Sequence, residues 1–189
     1  DVCSSDLHLS TVGQMLRVDE TPLVVWRVYL PNERWVGNPS VGMRIDARRS
    51  PDAIGVNNGA YYPSILLKKG AGKSKRVMVR LGDGGNGHRD RFAGVIRKPG
   101  WHTFAIGFDN DGITRYYHKE GAGDITAANE FYNSERWPNN PSRMHELYGH
   151  FIAISYDQNR PSPNVVFDNI DVRSEERRVG KECRSRWSP

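Results

Sequence analysis

The chain has 189 residues and carries 27 Lys/Arg against 22 Asp/Glu, a formal net charge of +5. That excess is too small to argue for nucleic acid by itself, and no apolar run approaches the roughly 20 residues that span a bilayer as a helix. The length suits one domain with an ordinary core.

The two ends read differently from the middle. Cys3-Ser4-Ser5-Asp6-Leu7 can be encoded by a DNA string whose reverse complement reads Arg-Ser-Glu-Glu, and Arg173-Ser174-Glu175-Glu176 stands near the other end. One sequencing adapter flanking an insert in opposite orientations produces that relation. Residues 1–7 and 173–189 are therefore expected to be translated adapter and are set aside, as a fusion scar would be. Removing six Lys/Arg and three Glu at one end and two Asp at the other leaves 21 Lys/Arg against 17 Asp/Glu. Cys3 and Cys183 go with the ends, so the remainder has no disulfide, no thiolate-held zinc and no thiol nucleophile. The expected unit is a single domain over 8–172, a monomeric module cut from a larger exported bacterial protein that works outside the cell or on its surface.

Within it, short segments alternate apolar and polar residues at period two, the mark of half-buried strands. Val24, Trp26, Val28 and Leu30 alternate with Val25, Arg27 and Tyr29 before Pro31-Asn32. Val41, Met43, Ile45 and Ala47 alternate with Gly42, Arg44, Asp46 and Arg48. Val77, Val79 and Leu81 alternate with Arg76, Met78 and Arg80. Phe104, Ile106 and Phe108 follow, then Asp111-Gly112, a hairpin signal because Gly takes positive φ without steric cost. The pattern resumes over 113–118, and late strands are expected at 151–156 and 164–172. Only 123–134 and 142–148 have any helical character. Many short strands with frequent turns predict an all-β, antiparallel two-sheet β-sandwich or barrel.

Three motifs fail on context. Gly70-Ala71-Gly72-Lys73-Ser74 ends like a phosphate-binding loop, but Leu67 stands where the first Gly is needed and a strand follows, so a hairpin tip is expected. Gly82–Gly87 fits GxGxxG without a helix after it to hold a pyrophosphate. His145 and His150 lie five apart, whereas zinc-binding histidines on one helical face lie four apart.

The stretch Pro99-Gly100-Trp101-His102-Thr103-Phe104, with Asp111-Gly112 and Tyr116-Tyr117 after it, resembles the corresponding hairpin of concanavalin A-like (laminin-G-like) jelly rolls. Val166-Phe167-Asp168-Asn169-Ile170 is similar to their last strand. This resemblance implies two packed antiparallel sheets, one of which often binds carbohydrate. The Glu-x-Asp-x-Glu strand of the glucanases in that family is absent from 8–172, against a retaining glycosidase. Tyr117-His118-Lys119-Glu120-Gly121 resembles the opening of the YFKxGxYxQ strand of alginate-lyase-like members, but its second Tyr and its Gln are missing.

Turning each apolar set inward leaves Arg27, Tyr29, Arg44, Arg48, Arg76 and Arg80 on polar faces. Tyr116 and His118 join them if Ile113 and Tyr117 point inward. Guanidinium forks match carboxylate and sulfate oxygens bidentately, and Tyr rings stack on sugars. Trp35 and Trp137, in turn-rich surroundings, are candidates for stacking on a ligand or for plugging the rim. Trp26 is expected in the core. The arginines either make a broad cationic surface or pair with Asp46, Glu33 or Asp90. The first expectation is a non-catalytic, lectin-like or adhesion-type module binding a glycan, favouring acidic ones. A polysaccharide lyase or hydrolase using His118, Tyr116 and Arg80 is the alternative, and a ligand-free structural module the third. No cofactor is expected, although Asp83, Asn86 and Asp90, or Glu20, Asp168 and Asp171, have the oxygen chemistry for calcium.

Overall fold

A computed structural model describes residues 21–48, 63–81, 89–109, 113–134, 146–155, 164–168 and 170–174. The strands are β1 (Pro22–Leu30), β2 (Pro39–Arg48), β3 (Ser64–Lys69), β4 (Lys75–Leu81), β5 (Arg89–Ile96), β6 (Gly100–Phe108), β7 (Thr114–Glu120), β8 (Glu130–Asn133), β9 (Glu146–Ser155), β10 (Val166–Phe167) and β11 (Asp171–Ser174). They form two antiparallel sheets. One has five strands in the order β5-β4-β3-β2-β9. The other has six, in the order β10-β1-β6-β7-β8, with β11 also on β1.

The alternation seen in the sequence is what builds the core. Val24, Trp26, Val28 and Leu30 of β1 meet Val41, Met43 and Ile45 of β2, with Ile65, Leu67, Val77, Val79, Phe104 and Ile106 between the same two sheets. Trp26 is 1% exposed, as expected of an anchor. A smaller cluster lies on the other side of the six-stranded sheet. There Ile125, from the loop after β7, packs with Leu23, Val25, Ala105 and Tyr117. Hence Leu23, Val24 and Val25 are all buried, and β1 is apolar on both faces at its start.

Several elements depart from the sequence expectation. The segment 123–134 holds one 3-10 turn, Ala127–Asn129, followed by β8. The segment 146–148, expected to be helical, is the start of β9, because β2 offers a ten-residue partner running from Arg48↔Glu146 to Pro39↔Ser155. The late strand is divided into β10 and β11, which pair with opposite ends of β1. β11 continues through Arg173 and Ser174, which face Leu23 and Pro22 across the ladder. The Gly70–Ser74 segment is a hairpin tip joining β3 to β4, closed by bonds from Gly70 N to Ser74 O and from Ser74 N to Ala71 O, with Gly72 at φ +59°. The Gly82–Gly87 loop lies outside the described residues.

Candidate functional site

The outward positions of the five-stranded sheet carry Arg44 on β2, Ser64 and Lys68 on β3, Arg76 and Arg80 on β4, and Asp90 on β5. Register aligns them. Arg44 faces Ser64, Ser64 faces Arg80, and Arg80 faces Asp90, so these four residues form one row across four strands. Lys68 faces Arg76 in a parallel row. Adjacent strands are about 4.8 Å apart, so the backbones bearing Arg44 and Arg80 stand roughly 10 Å from each other. Ser64 is fully buried between them, a small residue under two long ones.

Asp90 is the acid on which the row turns. Arg80 Nε donates to its Oδ1 at 2.7 Å and Lys68 Nζ to its Oδ2. Burial alone would raise the Asp90 carboxyl, but these two hydrogen bonds and their charges outweigh it and hold the group below the usual carboxylate range. Arg76 is exposed and spends its Nε on the Lys69 carbonyl at 2.9 Å. Four cations thus share this face with Asp90 among the described side chains. Arg48 lies on β2 opposite Glu146, but its side chain lies outside the described residues, as does Trp137.

Arg27 and Tyr29 do not belong to this face. They point outward from the six-stranded sheet, so the expected single arginine surface is divided between two opposite sides of the sandwich. The physical reason is that strand alternation separates inward from outward and carries no information about which sheet a strand joins. Arg27 pairs with Asp168 at 3.2 Å. On the same sheet Arg115 pairs with Asp109 and Glu130, and Arg173 with Asp171 and Asp124.

Tyr116 and His118 do not reach either outer face. β7 turns Thr114, Tyr116 and His118 between the sheets and leaves Arg115 and Tyr117 outside, the reverse of the register needed for a polar-face role. Tyr116 is fully buried and donates to the Arg80 carbonyl at 3.2 Å. His118 stacks on Phe104 at 4.7 Å and on His102 at 5.3 Å. His102 Nε2 lies 3.0 Å from the Lys98 carbonyl, which can only accept, so that nitrogen carries the proton. His102 Nδ1 then accepts from His118 Nε2–H at 3.1 Å. Burial lowers the His102 ring, against the opposing pull of the Lys98 carbonyl and Glu120. Burial, with repulsion from His102, pushes His118 down to about 4. Both rings are neutral at ordinary pH. A catalytic trio of His118, Tyr116 and Arg80 is therefore ruled out by direction: two members face the interior, and the guanidinium of the third is engaged outside with Asp90.

His118 also floors a pocket of about 130 Å³ between the edge strands, walled by Val77, Ala93, Ile96 and Phe131. Ala93 and Phe131 are the extra residues where β5 and β8 slip register. Sites for drug-sized ligands run from about 300 Å³, and this gap falls well short of that. Trp35 is likewise no surface platform. It is 2% exposed within the main core, and the Lys75 ammonium stands 5.0 Å over its ring while donating to the Glu33 and Lys73 carbonyls. Of its two expected roles, it plugs the rim. Trp101, whose face the sequence left open, is exposed on the six-stranded sheet beside Tyr29.

Among the described residues no three metal-ligating side chains converge. Asp90 and Asp168 are each held by cations of the chain, as is Asp171, and Glu20, Asp83 and Asn86 lie outside the described residues. No helix of the described residues is long and apolar enough to cross a membrane.

No protein-family model and no curated protein matches this chain. Solved structures do. An alginate lyase from Pseudomonas aeruginosa superposes with a TM-score of 0.56 at 10% identity, over 85% of this chain and 68% of that one. A marine PL7 alginate lyase from Zobellia galactanivorans gives 0.47 at 11%, over 86% of this chain and 65% of that one. A variant of human galectin-16 gives 0.36 at 12%, over 87% of this chain and 96% of that one. The first of these likenesses shows the fold: the chain is a concanavalin A-like jelly roll.

Proposed function

We propose that this chain is a non-catalytic glycan-binding module, part of a larger exported protein, that takes an acidic polysaccharide across the outer face of its five-stranded sheet. The observation that carries the reading is the charge of that face. Arg44, Lys68, Arg76 and Arg80 stand on three adjacent strands, and Asp90 pairs with Lys68 and Arg80. A polyanion lying across the strands meets these cations in succession. Guanidinium groups then offer paired N–H donors to its carboxylate or sulfate oxygens.

Affinity electrophoresis of the full chain in alginate, polygalacturonate and neutral laminarin gels, at low and high salt, tests this reading. Retardation in the two polyuronates that weakens with salt is expected, with no release of unsaturated ends from either polymer. Substituting both Arg76→Ala and Arg80→Ala should weaken retention by about tenfold or more, since hydrogen bonds to charged groups contribute about 1.5–3 kcal/mol each. Equal mobility in all three gels by a folded sample would refute the proposal. Steady appearance of unsaturated ends would favour the lyase reading instead.

A further inference from the structure

Five large apolar side chains are exposed among the described residues, and three of them form one row on the opposite sheet. Val166 of β10 faces Tyr29 of β1, and Tyr29 faces Trp101 of β6. Tyr29 and Trp101 are 40% and 38% exposed. Their rings meet edge to face at 5.7 Å, inclined at 69°, so they make a corner with one ring as floor and the other as wall. The next row along the strands is polar. It carries Arg27 and Thr103, and Asp168 sits beside Arg27, joined to it by backbone N–H to Arg27 O as well as by the ion pair. At the far side of Trp101, Lys98 pairs with Glu120 at 2.8 Å.

We propose that Tyr29 and Trp101 form a second and separate glycan contact, a stacking corner for the pyranose ring of a neutral sugar. The chemistry of the surroundings selects this occupant. A pyranose has an apolar C–H face and a rim of hydroxyls that both donate and accept. The aromatic corner matches the face, and the adjoining Arg27–Asp168 pair supplies donors and acceptors side by side for the rim. Arg27 has Asp168 and Lys98 has Glu120, while Lys119, beyond Thr103 in the polar row, donates to the Asp124 carbonyl, so this site offers a polyanion far less positive charge than the five-stranded face. A protein partner is disfavoured by size. Three part-exposed side chains fall far short of the roughly 800 Å² per partner that a stable interface buries, whereas one sugar ring needs only a surface of ring dimensions.

The test is calorimetric titration of the full chain with cellohexaose, mannohexaose and xylohexaose, with sedimentation velocity on the same samples. At least one hexaose should bind. Trp101→Ala should weaken that binding tenfold or more, Tyr29→Ala by a smaller factor, and Trp101→Phe should retain most of it. Phe92→Ala, which removes another exposed aromatic, should change nothing. Melting curves establish that each variant is folded. Failure of all three hexaoses to bind the folded chain, or binding indifferent to both Trp101→Ala and Tyr29→Ala, overturns the proposal. So does self-association that Trp101→Ala abolishes, which would assign the corner to a second copy of the chain. Polyuronate retardation is scored independently, so the two sites stand or fall separately.

Discussion

The two outer faces of this sandwich are made by the same alternation and end up chemically unlike. The five-stranded face carries Arg44, Lys68, Arg76 and Arg80, of which Lys68 and Arg80 pair with Asp90. On the six-stranded face, Arg27, Arg115 and Arg173 each have their own carboxylate, a loop covers part of the surface with Ile125, and two aromatic rings stand exposed. The difference teaches that outward-facing positions are not one population. Their character is set by which strands the topology lays side by side.

The largest expected effect lies in the cover of the six-stranded face. Tyr117 is 8% exposed under Ile125, and Tyr117→Ala should cost about 3 kcal/mol by emptying that cluster. Met78→Ala on the opposite face, where the side chain is half-buried beside Leu66, should cost less than half of that. Urea denaturation of the two variants compares them. Equal losses would mean that the loop cover contributes nothing.

Acid should separate the sheets next. His102 and His118 both belong to the six-stranded sheet, and their folded values lie below the ordinary 6.5. As pH falls through 6.5 the unfolded chain takes up these protons first, so stability is whole above about 6.5. It is lost down to about 4 for His118, at no more than about 1.4 kcal/mol per pH unit per histidine. Hydrogen exchange at pH 5 should therefore rise in β6 and β7 before β3 and β4, and His118→Phe should flatten the melting temperature between pH 7 and pH 5. An unchanged pH slope in that variant would remove the pair from the explanation.

A smaller effect is expected from Asp90→Asn. Neutralising this carboxylate releases Arg80 and Lys68 and should strengthen polyuronate retardation about threefold, in the range of a weak ion pair; weaker retardation would mean that Asp90 acts chiefly by positioning the cations. The smallest concerns Lys98 and Glu120, both fully solvated at their charged ends. Replacing either by Ala should leave the denaturation midpoint within experimental error, and a clear shift would show that this surface pair matters to the fold.

How much of this was legible in the sequence depends on how each strand is buried. β1, β2, β4 and β6 have one face in the main core, and their period-two pattern showed them directly. β3 did not, because Ile65, Leu66 and Leu67 are buried on both faces and form a run without alternation. β5 and β8 were missed because each slips register at a bulge, Ala93 and Phe131, which breaks the period at the residue that matters. In β7 both sets of alternate residues hold Tyr, so Tyr116 inward and Tyr117 outward became known only from the pairing with β6. The arginines of the cationic face could be named residue by residue, but not their division between sheets, and Lys68 was missed with the unalternating strand β3 that carries it. Its acid, Asp90, was one of three carboxylates weighed, and the Arg80 pairing selects it. The neutral aromatic corner was half visible: Tyr29 was on the polar face of a clear strand, while Trp101 began its strand and had no alternation behind it.

The divided last strand has a consequence for how this molecule comes into being. β1 needs β10 and β11 along one edge, and those partners lie about 140 residues further along the chain, as Asp168 does from Arg27. During synthesis β1 therefore emerges before these partners, with an open edge, a template for mispairing with any neighbouring chain. It stays so until about 140 further residues have followed it. Long-range pairing of this kind slows folding, and Asp168 and Asp171 place negative charge along the very stretch of chain that has to close this edge.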